Sequence, residues 1–599
     1  MRDIIAAVVI AAVAAGLVAA IGNDFYLRIL FSICIYLICA TGMNVLLGFA
    51  GQKSLGQAGL FAAGAYAAAL LTTAADFGPW LSLLLAMGVS GISGLLIAAP
   101  SLRVKGPSLA MVTLAFGIVV ERLVTESTEL FGGAMGIYAI KPLTFNGEPL
   151  TMAGWAWLAI GLALLVHLLI RNLLVGRFGR AFLSIQADEV AAAAVGVKVL
   201  HYKVLAFVIA AVTCGLAGAL VAQQNQYINS DFINFHLSVF ILLIVLFGGS
   251  GSLAGPLLGA VILTLLSSFL ARWSWIEHFV NGALLLFALY AMPRGVAGLL
   301  SDLFARVGGR GAKTTAETSA VLGRLPRPAG SAAASPLLSV EAVSKSYGGV
   351  KPARDIAMSL TPGHINALIG PNGAGKTTLI NMLTGIVRPD AGTITFQGRD
   401  MTRSPVHAIC VGGVGRTFQN LRLFRDLTVR DNVMLGRHAR MTNGFLQSLL
   451  GLGRRQEMAA RRTADEILAF LGLEHVADAK AGSLAYGLQR RVELARALAT
   501  EPHLLLLDEP AAGLNPQETE ELGELLLKVR DAGITILLVE HHMDLVMRIS
   551  DHIVVLDYGE KIAEGNPAEI QRNPRVAAAY LGTDDEDEAA LARPIEATA

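Results

Sequence analysis

The chain has 599 residues, of which 54% are hydrophobic and 16% charged, with a formal net charge of +1 at pH 7. That length accommodates several domains of roughly 100–200 residues each. The balanced charge gives no reason to expect nucleic acid as a partner. Cys34, Cys39, Cys214 and Cys410 show neither metal-ligand spacing nor the even framework of a small secreted unit, so they read as buried thiols.

A mean hydropathy of +0.58 averages two unlike halves. Long Ala-, Leu-, Val- and Gly-rich runs fill the first half, and most of the charge follows Arg294. The opening run Ile4–Ile21 is as long as a membrane span, has only Arg2 before it and is followed by many more such runs. It therefore reads as a first transmembrane helix and not as a cleaved leader. Candidate spans lie near 4–21, 26–48, 56–74, 78–99, 107–123, 154–170, 204–223, 235–248, 254–271 and 279–293, which predicts about ten crossings. Gly48–Gly51, Gly248–Gly251 and Gly255-Pro256 interrupt the pattern, so parts of these regions are expected to re-enter the bilayer.

Lys and Arg mark the cytoplasmic side of short loops. A cytoplasmic N-terminus places Arg2, Lys53, Arg103, Lys105, Arg171, Arg177, Arg180, Lys198, Lys203 and Arg294 inside, and Arg28, Arg122, Lys141 and Arg272 at the outer edge. Trp80, Trp155, Trp157, Trp273 and Trp275 then fall at the outer boundary, where an aromatic belt belongs. No Asp or Glu lies deep inside a span, which argues against a proton-coupled carrier. Abundant Gly and Ala suit close helix contacts in lipid. The cytoplasmic loop Gly176–Val197, with Arg177, Arg180, Asp188 and Glu189 beside an Ala-rich helical run, suits a helix that docks on a soluble domain.

After residue 303 the pattern changes. Residues 304–336 carry Gly, Ala, Ser, Thr and Pro without apolar period and read as a tether, semi-extended around Pro326 and Pro328. Residues 337–582 alternate short β-rich runs with helical stretches. The runs Ile365–Ile369, Leu504–Leu507, Thr535–Val539 and His552–Leu556 predict an α/β domain with parallel strands. The tail 583–599, with the acidic run Asp584–Glu588, reads as a solvated terminus.

Gly370-Pro371-Asn372-Gly373-Ala374-Gly375-Lys376-Thr377 fits G-x-x-x-x-G-K-[ST] between the apolar strand Ala367–Ile369 and the helix Thr378–Leu383, the context that a P-loop requires. Its glycines let backbone N–H groups wrap phosphates at a helix start. Lys376 would reach the β- and γ-phosphates of ATP, and Thr377 would bind Mg²⁺. The apolar run Leu504–Leu507 ends in Asp508 and Glu509. Asp508 suits the metal or its water, and Glu509 suits the general base for an attacking water.

With these motifs in order, residues 337–582 resemble an ABC ATPase domain. The resemblance implies that Tyr347 stacks on adenine, that Gln419 in Arg416-Thr-Phe-Gln-Asn touches Mg²⁺ and senses the permease, and that Leu484-Ala485-Tyr486-Gly487-Leu488-Gln489 is the signature loop. It also implies that His541 is the switch histidine, and that Thr378 joins the P-loop's phosphate contacts. Ala485, Tyr486 and Leu488 depart from the usual signature L-S-G-G-Q, Asn515 stands where Asp is usual, and His542 where Asp often follows the switch His. Such domains sandwich nucleotide in pairs, so a second ATPase is implied.

Finer stretches resemble LIV-type branched-chain amino-acid importers. Gln419-Asn-Leu-Arg-Leu-Phe and Asp508-Glu-Pro-Ala-Ala-Gly-Leu-Asn-Pro are similar to the LivG-type ATPase. Gly48-Phe-Ala-Gly-Gln-Lys-Ser-Leu-Gly-Gln-Ala, Gly176-Arg-Phe-Gly-Arg-Ala and Gly248-Gly-Ser-Gly-Ser-Leu-Ala-Gly-Pro are similar to the LivM-type permease. The implied chain is a polytopic α-helical membrane domain followed by an α/β P-loop ATPase, in a bacterial inner membrane. Its implied partners are a LivH-like permease, a LivF-like ATPase, a periplasmic substrate-binding protein and membrane lipid. Urea or short amides are alternative cargoes. An ABC exporter half-transporter would need six long helices reaching into the cytoplasm, and an ATP-gated channel would not need the hydrolytic residues.

Overall fold

Residues 2–101, 106–292, 294–307 and 336–581 are described by the structure, a computed structural model. Arg103 and Lys105, most of the predicted tether with Pro326 and Pro328, and the acidic run Asp584–Glu588 lie outside them. The chain divides into two compact units. The first comprises Met1–Ala187, Val199–Thr314 and Asn443–Gly453, and the second Asp188–Lys198, Thr315–Thr442 and Arg454–Ala599. Each unit thus takes a short segment from the other's stretch of sequence.

Apolar runs with no backbone partner but themselves become helices in the first unit. These are α1 (Arg2–Ala20), α2 (Asp24–Met43), α3 (Gln57–Thr73), α4 (Pro79–Ser101), α5 (Pro107–Glu126), α6 (Met152–Val175), α7 (Arg177–Ala187), α8 (Glu189–Ala194, which belongs to the second unit), α9 (Val199–Asn225), α10 (Phe235–Gly249), α11 (Gly255–Leu270), α12 (Ser274–Ala291) and α13 (Gly295–Val307). Among the described residues six helical stretches are long and apolar enough to cross a membrane: Asp24–Phe49, Pro79–Pro100, Pro107–Glu126, Met152–Val175, Val199–Asn225 and Gly255–Trp273. Two apolar helices, Ile4–Ala20 and Phe235–Gly249, are shorter. Six therefore stands against the ten crossings predicted, because the runs near 4–21, 56–74 and 235–248 form helices of only 15–17 residues, short of a full span.

The helical backbone is indeed broken at both predicted places. A π-helical turn, Asn44–Phe49, ends α2, and non-helical backbone follows before α3; a second break separates α10 from α11. Asn44 serves both breaks. Its Oδ1 accepts from Gly251 N (2.9 Å) and its Nδ2 donates to Ser252 O (2.8 Å), which satisfies backbone groups that helix geometry leaves open. Close approach explains the small residues: a Cβ on Gly64 of α3 would meet Gly215 O of α9 at 2.2 Å. In the same unit, Arg177 donates to Asn443 O (3.0 Å), and the rings of Phe178 and Phe445 lie 6.0 Å apart.

Two sheets organise the second unit. β1 (Leu338–Tyr347) pairs antiparallel with β2 (Val350–Leu360) and with β4 (Ala391–Phe396), and a short strand Arg399–Asp400 extends this sheet to four. The other sheet runs in the order β5 (Val414–Arg416), β6 (Leu504–Asp508), β7 (Thr535–Val539), β3 (Ile365–Ile369), β8 (His552–Asp557), β9 (Glu560–Gly565). Its first five strands are parallel and β9 is antiparallel at the edge. β3, β6 and β7 are buried at every residue, as continuous apolar runs in a parallel sheet should be. The predicted parallel strands therefore lie where sequence places them, within a residue at their ends. The antiparallel sheet is an addition to that prediction.

Candidate nucleotide site

Parallel neighbours carry their C-terminal ends to one edge of a sheet, which is where ligands of open α/β folds sit. Asp508 is level with Val539, and Val539 with Leu368. The P-loop after β3, the carboxylates ending β6 and the histidine after β7 consequently arise side by side. The P-loop feeds α14 (Lys376–Leu383), which begins two residues before the predicted helix. Gly375 caps that helix at φ +97°, and a Cβ there would meet Pro352 O at 1.9 Å, so a side chain is excluded by conformation and by space.

Lys376 Nζ donates to Gly370 O (2.6 Å) and Pro371 O (2.9 Å). Burial pushes its ammonium below the usual lysine range, while the charges of Glu509 and Asp508 act in the opposite sense. Asn372, Gly373 and Thr377 are exposed along the loop, Pro371 and Thr378 are half-buried, and Ala374 is buried under it. Asp508 is 1% exposed. Arg416 Nη2 lies 3.5 Å from its Oδ2, and Arg416 Nη1 donates to Thr384 Oγ1 (2.7 Å). Burial raises the Asp508 carboxyl and outweighs the opposing pull of Arg416. Burial likewise brings the Arg416 guanidinium down to about 10.

The second oxygen of Asp508, Oδ1, is buried with no hydrogen-bond partner. A buried orphan carboxylate oxygen suits a hard divalent cation, and Asp508, the hydroxyl of Thr377 and the amide of Gln419 offer oxygen donors that fit Mg²⁺ by chemistry. Gln419 Nε2 donates to Glu509 Oε2 (3.0 Å), and His541 Nδ1 lies 3.9 Å from the same oxygen. Glu509 itself sits at φ +49°, a left-handed conformation that a non-glycine residue adopts only when its surroundings impose it. Here Glu509 N donates to Val539 O (2.8 Å) at the end of β7. Tyr347 ends β1 with its side chain half in solvent, and Lys345 Nζ is 5.4 Å from its ring centroid.

Lys376, Asp508, Glu509, Gln419 and His541 are thus gathered in one place. Ala485, Tyr486 and Gly487 are elsewhere. They open α17 (Tyr486–Leu498; α15 being Val429–Gly436 and α16 Arg454–Phe470) with Ala485 as a cap that offers no side-chain hydrogen bond. A cavity of about 340 Å³ beside them is lined by Ala485, Gly487, Leu507, Leu514 and Asn515 and by no P-loop residue. Tyr486 is held by Arg490, whose Nε donates to its hydroxyl (3.2 Å) and whose guanidinium lies 5.4 Å from its ring centroid. Asn515 accepts from Glu518 N (2.8 Å), and Glu518 reaches back to Asn515 N (3.0 Å). That capping box starts α18 (Pro516–Asp531) and gives Asn at this position a local physical role.

Sequence reasoning assigned no role to Arg416, Glu540 or Tyr580. Glu540, 1% exposed, accepts from Ala511 N (2.7 Å) and from His541 N (3.1 Å), which ties the histidine's backbone to the turn after Glu509. Tyr580, in the helix Pro574–Leu581, interacts with the P-loop backbone at Gly370, while burial pushes its phenol up. On α17 itself, Glu493 is buried between Arg490 (3.3 Å) and Arg496 (3.5 Å). Arg490 donates to Phe418 O (2.8 Å) and Gln419 O (2.5 Å), and Arg496 to Arg422 O (2.5 Å). Arg422 in turn pairs with Asp188 at 2.7 Å, and Asp188 caps α8 by accepting from Val190 N and Ala191 N. A signal for this network was present in the charges Arg490, Glu493 and Arg496, spaced three apart inside an otherwise apolar helix face.

Comparison with known proteins adds the following. Residues 25–289 match the family described as branched-chain amino acid transport system / permease component, residues 353–512 match ABC transporter, and residues 560–586 match branched-chain amino acid ATP-binding cassette transporter. The high-affinity branched-chain amino acid transport ATP-binding protein LivG of Salmonella typhimurium is 46% identical over 250 residues, 41% of this chain and 98% of that protein. BraF of Pseudomonas aeruginosa, described by the same function, is 44% identical over the same shares. A nucleotide-free ATP-binding cassette from an ABC transporter is 33% identical, covering 41% of this chain and all of that one, with a TM-score of 0.37.

Proposed function

The chain belongs to the branched-chain amino acid ABC transporter family, as a permease joined to a LivG-like ATPase, and from that premise we propose that it couples ATP hydrolysis to uptake of branched-chain amino acids, or related small amino acids and amides, across a bacterial inner membrane. The observation that carries the reading is the convergence of Lys376, Asp508, Glu509, Gln419 and His541 at one sheet edge, in a chain whose other half matches a permease family.

Gly370, Gly373, Gly375 and the first turn of α14, with Thr378, receive the phosphates of ATP on their N–H groups, and Tyr347 receives the adenine face. Lys376 leaves the carbonyls of Gly370 and Pro371 to meet the β- and γ-phosphates. Thr377, Asp508 and Gln419 would hold Mg²⁺, which would supply neutralisation of phosphate charge. Glu509 takes a proton from the attacking water once Gln419 releases its carboxylate, and His541 stands beside the γ-phosphate. Ala485, Tyr486 and Gly487 present backbone N–H groups to a nucleotide held by a second, LivF-like ATPase. Because the hydroxyl of the usual signature serine is missing, the two ATP sites of the assembly are unequal.

A LivH-like permease completes the pore, and a periplasmic binding protein selects and delivers the cargo. The cap of α8 by Asp188, paired to Arg422 just after Gln419, supports the reading of Gly176–Val197 as the coupling segment. Closure of the ATPase pair changes the pore only through the differential affinity of ATP for the closed state. In cells, radiolabelled leucine uptake is expected to require the binding protein; uptake unchanged by its deletion contradicts import.

A further inference from the structure

Arg28, one of the few cations that the charge pattern places at the outer edge of the membrane half, has no part in the nucleotide chemistry. It lines a cavity of about 230 Å³ within the first unit. Arg28, Ser32 and Tyr36 also line it, at four-residue spacing that puts them on one face of α2. Arg28 is exposed to this space and forms no ion pair among the described residues. Gln224 and Asn225, the last two residues of α9, line it too. The amide Nε2 of Gln224 is directed to Met152 Sδ (3.8 Å), which leaves Oε1 as its acceptor. Helix C-termini carry partial negative charge on their last carbonyls. The lining also includes the apolar side chains of Ile35, Phe61, Val221 and Leu237.

We propose that this cavity is a binding site for a small zwitterionic amino acid with an apolar side chain, with Arg28 receiving the carboxylate, the end of α9 with Gln224 and Asn225 receiving the ammonium, and Ile35, Phe61 and Leu237 receiving the side chain. The proposal rests on the importer reading above and adds to it a docking point on this chain's own permease unit. A guanidinium is suited to a carboxylate because it offers paired donors in a plane. The volume lies below the roughly 300–1,000 Å³ of drug-sized ligand sites, which suits a ligand as small as one amino acid. The lining offers a cation for the carboxylate and amide and helix-end oxygens for the ammonium, and an uncharged amide or urea would leave Arg28 without an anion. Arg28, Asn225 and Phe232 all belong to helix ends or loops that the charge pattern assigns to the outer side, the side from which a binding protein would deliver cargo.

The test is equilibrium binding of tritiated L-leucine to the full chain in nanodiscs of phosphatidylcholine, without binding protein. Saturable binding is expected to weaken about tenfold or more in Arg28→Ala, as for loss of a charge-assisted hydrogen bond. Arg28→Lys is expected to retain more of it than Arg28→Ala. Val221→Phe, which fills the cavity and leaves Arg28 in place, is expected to weaken binding as well. L-leucinamide, which lacks the carboxylate, is expected not to compete. Absence of saturable leucine binding, equal binding by Arg28→Ala, or equal competition by leucinamide would overturn the proposal. So would a response of Arg28→Ala confined to retention of added phosphatidylglycerol, which would mark Arg28 as a lipid-headgroup contact. In the assembled transporter, unchanged leucine uptake by Arg28→Ala removes this site and leaves the importer reading standing; no leucine uptake by the unaltered transporter removes the importer reading itself.

Discussion

At the P-loop the functional groups stand on the ends of buried strands, whereas at the signature they stand on the first turn of a helix with Ala485 and Tyr486 exposed. The strand-end groups are bound into the core: Asp508 to Arg416, Arg416 to Thr384, Glu509 to the end of β7. The signature turn is held within its own helix, through Arg490 and Tyr486, and packs closely on Glu518 at Gly487. The difference accounts for the departures at Ala485, Tyr486 and Leu488, and not for His542, which follows the end of β7. A change at a strand end disturbs buried charge, and a change at the helix start leaves the backbone N–H groups in place. Ala485, Tyr486 and Leu488 all depart at the tolerant end.

Substitutions can sharpen this contrast. Arg416→Ala leaves Asp508 buried without its cation, and breaking a buried pair in this way costs about 3–5 kcal/mol; chemical denaturation of the purified chain should record a loss of that order in the ATPase unit. Lys376→Ala removes a charge-assisted contact to phosphate, about 1.5–3 kcal/mol, and should weaken ATP binding by at least about tenfold in a fluorescent-nucleotide titration. Asn515→Ala removes a helix cap, typically worth ~1 kcal/mol, and should lower the melting temperature slightly without changing nucleotide affinity at the P-loop. Ala485→Ser restores a hydroxyl at an already formed helix start and should raise hydrolysis of the assembled transporter by less than about tenfold, a single hydrogen bond's worth. If Ala485→Ser changed stability as much as Arg416→Ala, the contrast between the two ends would collapse.

The partly exposed pair Asp188–Arg422 belongs at the small end of the scale. Such pairs contribute about 0.2–1 kcal/mol and the cap that Asp188 gives α8 about 1 kcal/mol more, so Asp188→Arg alone should cost little stability while it lowers the leucine moved per ATP. The exchange Asp188→Arg with Arg422→Asp should recover part of that ratio. Equal ratios in all three proteins would detach this pair from coupling.

The parallel strands and the P-loop were legible because burial on both faces and phosphate wrapping each leave a local signature, an apolar run and a glycine pattern at fixed spacing. The breaks at Gly48–Gly51 and Gly248–Gly251 were legible for the same reason. The count of crossings was not, since three of the apolar runs form helices of only 15–17 residues, a length that a hydropathy pattern does not separate from a full span. The antiparallel sheet escaped notice because β1 and β2 mix exposed with buried positions and carry register shifts. Asn515 read as a departure from family pattern, yet its capping box with Glu518 lies three residues ahead in the same stretch. Arg416 and Glu540 depend on pairing between strands and turns distant in sequence, which no local pattern reports.

The central claim is that one polypeptide both hydrolyses ATP and moves its cargo, with Glu509 as the group that activates water. The most direct measurement is leucine uptake and ATP hydrolysis by the reconstituted transporter carrying Glu509→Gln, alongside nucleotide binding. A positioned general base contributes about 10²–10⁴-fold, so hydrolysis at this site and concentrative uptake should fall by at least that lower figure while ATP binding persists. Continued accumulation of leucine against its gradient by Glu509→Gln would contradict the account.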